Sequence, residues 1–353
     1  MRIPLAFGYG GRDSSRETDE ISVNAFAEQG QTGQTFAVKR SGTSPMDYYP
    51  PYNGGAITYT IETASSNTGS AQGCYQNGPD VFFVRGGNLL YSVFQSMGGG
   101  LPGEVAVGNI TMPSAVPMTF TPIPADVNVR SFFLKSTTNA YRVYDMNMTH
   151  VTDVDYPATT VPGAAYLDGT FYVMTPLGYI YGSELDDPLT WSGLNVIKAQ
   201  SMPDSGVALR RMVNYIVAFG EYTTEFFYDA GNPVGSPLLP VTNAVALVGC
   251  SSADSIADTE NTLYFMGVTR QQGRSIYRFN GTIPEKISTP AVDRVISAST
   301  LANVSAYFVK MKGHPLYVLT LQDLNVTLVF DSLTNLWHEW TSSIPGTWDT
   351  GIS

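Results

Sequence analysis

Short runs rich in Val, Tyr, Phe, Thr and Ile alternate along the chain with Gly, Asn, Asp and Pro, the pattern of β-strands joined by tight turns. Apolar residues at helical spacing are nearly absent. Only Asp204–Met212 and Pro290–Leu301 read as helices, and both are short. One unit recurs: an apolar strand, a turn, then a second strand ending in an aromatic or aliphatic residue, often with Asp or Asn after it. It occupies Val81–Phe94, Ser131–Asp145, Thr170–Tyr181, Tyr215–Asp229, Thr262–Asn280 and Leu316–Asp331. The apolar starts, near 81, 132, 171, 215, 263 and 316, lie 51, 39, 44, 48 and 53 residues apart. Propeller blades repeat at roughly 40–50 residues, four strands to a blade. A lone hairpin cannot bury both faces, and radial stacking supplies the missing cover. Further strand-like runs lie between the hairpins, at Ala56–Ile61, Val105–Ile110 and Met118–Ile123.

The predicted fold is therefore all-β, a β-propeller of six blades with an N-terminal strand and loop extension. The competing reading is a β-sandwich array with coincidental spacing. Residues 1–50 form the extension. Gly8–Asp19 reads as loop, and the strand-like segments on either side of Gly30–Gly33 are a pair able to close the ring. Residues 51–343 form the propeller, and 344–353 are a C-terminal tail or the start of a continuation.

Charge narrows the classes. Only 14% of residues are charged, below the roughly 25% of ordinary domains. Nineteen basic residues face thirty acidic ones, for a net charge of -11. That surplus, with no basic cluster, argues against tight, sequence-reading nucleic-acid binding, which needs cations on phosphates. No apolar run approaches the roughly 18 residues of a membrane span. The N-terminus lacks an apolar core, so no cleaved secretion signal is expected. Cys74 and Cys250 cannot make a disulfide framework and read as buried thiols.

Candidate chemistry is sparse. His150, His314 and His338 are the three histidines, and with no Gly-x-Ser-x-Gly elbow they read as surface or packing residues. Cys-x-x-Cys and His-Glu-x-x-His are missing. Carboxylates group at Asp153 with Asp155, at Glu184 with Asp186 and Asp187, and at Asp254 with Asp258 and Glu260. Asp153 and Asp155 would share a strand face and could bind calcium, but solvated turn carboxylates are the favoured reading. Ser183–Trp191 resembles in part the Asp box of sialidase-type propellers, with Pro188 where that box has Gly. Sialidase chemistry also uses clustered arginines, and Arg210–Arg211 is the one adjacent pair of them. Gly98–Gly100 reads as a turn rather than a phosphate cradle. The sequons at Asn109, Asn147, Asn280, Asn303 and Asn325 read as chance. No catalytic, cofactor-binding or metal-binding residue is assigned. The alternative function is a carbohydrate-active or carbohydrate-binding propeller.

An ordered set of fragments carries a resemblance. Near the N-terminus Asn24 and Glu28 stand in Val23–Glu28, followed by Lys39–Pro45, where the family's Pro-Gly is absent. Asp168 and Gly169 open Leu167–Val173, leading to Asp186, Pro188 and Trp191 in Ile180–Trp191. Thr224, Glu225, Tyr228 and Gly231 lie in Thr224–Asn232. Gly281, Pro284, Ser288 and Thr289 lie in Tyr277–Pro290, and Trp337 lies in Phe330–Trp340. In this order, across roughly 20–342, they resemble the packaged-DNA stabilisation proteins of short-tailed bacteriophages, also called tail hub or nozzle proteins. The resemblance implies a non-enzymatic virion protein without cofactors, assembled in the host cytoplasm as a hexameric ring in the tail. It implies a channel extended below the portal and adaptor, with fibre, spike or needle proteins as further partners. Such a ring retains the packaged genome and conducts DNA at ejection. An acidic lining suits a conduit, since it repels phosphate within a Debye length of roughly 8 Å.

Overall fold

The structure, a computed structural model, describes residues 118–122, 131–144, 147–259 and 261–340 throughout. Before them it describes the strands Ile3–Pro4, Ser22–Val23, Ala25–Gln29, Thr35–Lys39, Ala71–Asn77, Asp80–Arg85, Asn88–Val93 and Gly103–Asn109. The expected loop 8–19, the turns 30–33 and 98–100, the strand 56–61, Asn24 and the tail 344–353 lie outside the described residues.

Two compact units emerge. One is Pro45–Gly220 with Thr224–Val245 and Thr350–Ser353. It holds four sheets, each a plain four-strand antiparallel meander, within residues 71–109, 119–150, 165–198 and 206–240. The other comprises Met1–Ser44, Glu221–Thr223 and Ala246–Asp349. It holds a fifth meander, Val304–Met311, His314–Leu321, Val326–Asp331 and Leu336–Trp340, to which Ser22–Val23 adds a parallel fifth strand. Its other large sheet contains Leu263–Val268, Ser275–Asn280 and Ile283–Lys286, and a small sheet joins Ile3–Pro4, Thr35–Lys39 and Ala25–Gln29.

Among the described residues the regular blades number five, against the six expected. In the sheet around Leu263–Val268 the first strand is split into Gly249–Cys250 and Ala257–Asp258, which pair with opposite ends of it. A 3-10 turn, Ala253–Ser255, interrupts the ladder between them. The Met266 backbone stays satisfied: its N–H donates to Ser255 Oγ at 3.0 Å, and its carbonyl accepts from Ser251 N at 2.8 Å.

Stacked sheets explain the apolar hairpins. Every residue of Thr170–Met174 is buried. Phe171 and Val173 point to a core with Phe133 and Ala140 of the preceding sheet and Trp191 of their own. Tyr172 and Met174 point to a core with Leu209, Ile216 and Phe227 of the following one. The two-residue period of a strand divides its side chains between the two interfaces. Ser131–Lys135 behaves alike: Phe132 and Leu134 join Phe82 and Val84, while Phe133 turns the other way.

One expected helix is present. Pro290–Ala298 starts at Thr289, whose hydroxyl accepts from Val292 N, with Pro290 in the first turn. The other expectation is corrected: residues 206–212 are the strand Gly206–Met212, paired with Tyr215–Gly220. Ala208, Leu209 and Met212 are buried there because ladder pairing and the neighbouring sheet outweigh a weak helical spacing.

Candidate functional site: signature turns and buried ionisable groups

The signature residues converge on turns and inter-strand ties rather than on one cavity. In the sheet 165–198, Asp168 and Gly169 form one turn with φ of 47° and 91°, and Asp186 forms another with φ of 54°. Asp186 N donates to Gly169 O at 2.6 Å, and Tyr166 OH donates to Asp186 Oδ1 at 2.8 Å. Burial first, then the bond to Asp186, pushes the Tyr166 phenol up to about 12.

The fragment that resembles an Asp box is a self-contained turn. Asp187 accepts from Leu189 N and Thr190 Oγ1, and Trp191 Nε1 donates to Pro188 O at 2.9 Å. The Trp191 backbone N–H donates to Asp153 Oδ2 at 3.1 Å, and Tyr156 stands edge-on to the indole. Asp153 and Asp155 are not on a strand: they lie in the loop after Asn147–His150, and Asp153 Oδ1 accepts from Asp155 N. Asp153 therefore ties its loop to the Trp191 backbone. Among the described residues no group of three His, Cys, Asp or Glu could hold a metal ion.

The remaining signatures act in the same way. Buried Glu225 accepts from Ser201 N at 2.9 Å and Ser201 Oγ at 2.8 Å, while its neighbour Thr224 is fully buried and Tyr228 is exposed. Gly231 (φ 64°) donates its N–H to Asp229 Oδ1 at 2.7 Å. Gly281 (φ 61°) turns the chain between Ser275–Asn280 and the strand containing Pro284. Ser288 Oγ accepts from Ile276 N and donates to Asp293 Oδ1. Trp337 Nε1 donates to Ile287 O at 2.9 Å. Glu28 lies opposite Phe36 in the small N-terminal sheet.

Two buried clusters escaped sequence reasoning. His314 Nδ1 lies 2.6 Å from Asp331 Oδ2, and both side chains are buried. Asp331 also accepts from Leu333 N and Thr334 Oγ1, each at 2.9 Å. His338 is fully buried, and desolvation lowers its imidazole to about 4. His150, by contrast, is exposed, 3.3 Å from Asn139 Oδ1. Cys250 is buried and Cys74 half-buried, where burial raises the thiol.

The second cluster centres on Lys135, whose side chain is fully buried and donates to Val161 O at 2.7 Å. Burial, then the Arg210 guanidinium, lowers its amine to about 7 from 10.5. Around it three sheets are stitched through one connection: Thr160 N donates to Thr137 O, Val161 N to Met174 O, Leu209 N to Pro162 O, and Gly163 N to Thr119 Oγ1. Between the two pKa values the unfolded chain holds a proton that the folded chain does not. Stability should therefore rise with pH from about 7 to 10.5, by up to about 1.4 kcal/mol per pH unit. Thermal midpoints measured across that range should show this rise, and Lys135→Met should flatten it. An unchanged pH profile in the variant would exclude Lys135 as its source.

No helix among the described residues is long and apolar enough to cross a membrane. A family model described as Bacteriophage P22 Gp10, beta-propeller, a phage DNA-stabilisation protein, matches residues 83–346. No curated protein matches the chain. Similar solved structures include the computationally designed Ika8 protein (10% identity, 76% of this chain and 73% of that chain, TM-score 0.44). They also include the extracellular domain of the putative hybrid two component system BT4673 from B. thetaiotaomicron (10%, 77% and 33%, TM-score 0.48). BamB from Moraxella catarrhalis is a third (12%, 74% and 71%, TM-score 0.42).

Proposed function

The chain belongs to the phage DNA-stabilisation β-propeller family, and from that membership we propose that it is a nozzle or hub subunit of a short-tailed phage. In this reading copies form a ring, six by the family resemblance, below the portal and adaptor. The ring extends the channel, helps retain the packaged genome, and conducts DNA at ejection without reading its sequence. Fibre, spike or needle proteins attach beside it in the tail, and assembly takes place in the host cytoplasm. The protein works by assembly rather than catalysis.

The family match over 83–346 carries this reading. The polar signature residues support it, since many of them hold turns and tie strands. A net charge of -11 suits a wall past which DNA slides. The test is genetic. Particles assembled without this chain should package DNA and then lose it, and adding purified chain should restore retention. Particles that lack the chain yet keep their genome would sink the proposal.

A further inference from the structure

One edge of the unit that holds the sheets 165–198 and 206–240 combines apolar tips with negative charge. Leu185 at 72% exposure and Val213 at 46% project from two turns there. They belong to one surface: Leu185 lies over the Asp168–Gly169 turn, Tyr166 reaches Asp186 and feels the charge of Arg211, and Arg211 Nε donates to Val213 O at 2.8 Å. Asp168 and Asp229 both bear on the Tyr172 hydroxyl. Exposed Asp168, Glu184 and Asp186 make the surface acidic, with Arg211 its cation. The unit as a whole has seven Lys and Arg against fifteen Asp and Glu.

The complement lies in the other unit. The hairpin between Val304–Met311 and His314–Leu321 ends in exposed Lys310 and Lys312, with half-buried Met311 between them. Among the described residues neither lysine makes an ion pair. Other cations of that unit are engaged: Arg278 with Glu285, Lys286 with Asp293, Arg274 with Ser299 O, and Arg270 over Tyr222. The tip therefore offers two free ammonium groups flanking a thioether, matched to an acidic surface with apolar knobs.

We propose that the acidic turn surface around Leu185 and Val213 docks the Lys310–Lys312 hairpin tip of a second copy of this chain. Because the two surfaces differ, the contact is head-to-tail and can build a closed ring. The inference deepens the proposed assembly by naming its surfaces, and rests on that reading for the number of copies.

Sedimentation velocity on the full chain, at low and high salt, tests it. The wild type should self-associate, less so at high salt. Lys310→Glu with Lys312→Glu should weaken association roughly ten-fold or more, since like charges would then meet. Adding Glu184→Lys should restore part of the loss. These positions are exposed, so the thermal midpoint should stay unchanged. A wild type that associates while the double variant matches it overturns the assigned surfaces and leaves the nozzle reading standing. A wild type monomeric at every concentration overturns the inference outright, and the virion reading keeps its separate test in genome retention.

Discussion

Gly163→Ala is expected to unfold much of the unit that contains it, with a loss of about 3 kcal/mol or more. Two physical facts combine at this position. Its φ is +92°, a region L side chains rarely adopt. An added Cβ would also sit 2.0 Å from the Leu209 carbonyl oxygen and 2.0 Å from the Arg210 guanidinium. The arginine can swing aside, but the Leu209 carbonyl is part of a backbone whose N–H donates to Pro162 O at 3.1 Å. The connection 160–163 must then leave Leu209, and the stitch around Lys135 opens with it. Equilibrium denaturation of the variant against the wild type measures this. A change below about 1 kcal/mol would mean that Gly163 and Leu209 do not approach as described.

Asp331→Ala is the second large effect, about 3 kcal/mol or more, since each buried donor that loses its acceptor costs roughly 1–3 kcal/mol. The carboxylate holds three groups at once: the His314 ring, the Leu333 N–H and the Thr334 hydroxyl. Alanine takes the carboxylate away from the buried imidazole and releases the turn into Leu336–Trp340. Asp331→Asn keeps acceptor capacity at the same place and should lose less. Hydrogen exchange should show the damage concentrated in Leu316, Val318 and Val329, which pack on this sheet's other core with Trp340. Equal stability of the alanine variant and the wild type would remove the pair from the list of supports.

The hairpins were readable because second strands such as Ser131–Lys135 and Thr170–Met174 are covered on both sides. Phe132, Phe133 and Leu134 cannot be surface, and so the run is apolar without interruption. The Pro290 helix was readable from local chemistry, a threonine cap before a proline. What stayed hidden was long-range or very short. Gly249–Cys250 and Ala257–Asp258 are two residues each, too brief to show a period. Gly206–Met212 mimics a helix because its buried Ala208, Leu209 and Met212 stand at helical spacing, although its partner strand is the next along the chain. Of the polar ties, Asp153 reaches Trp191 across 38 positions and Lys135 reaches Val161 across 26. The signature fragments disclosed the family, yet not what Glu225 or Ser288 holds, because an acceptor's partner is set by how the sheets stack. Even so, Phe330-Asp331-Ser332 followed by Leu333 and Thr334 was an available cue, since Asp commonly binds the backbone two residues on.

The parallel pairing of Ser22 with His338 bears on how the chain reaches its native state. Those partners stand some three hundred residues apart, and closing a loop of that length costs roughly 5 kcal/mol of chain entropy. Two residues of ladder cannot repay that alone. The pairing must therefore wait until the sheet from Val304 to Trp340 is already standing, as a late event with a rate set by topology rather than by local preference. It is also the contact whose opening exposes the Leu336–Trp340 edge, so the moment at which a nascent subunit is most open to mispairing is its last step, not its first.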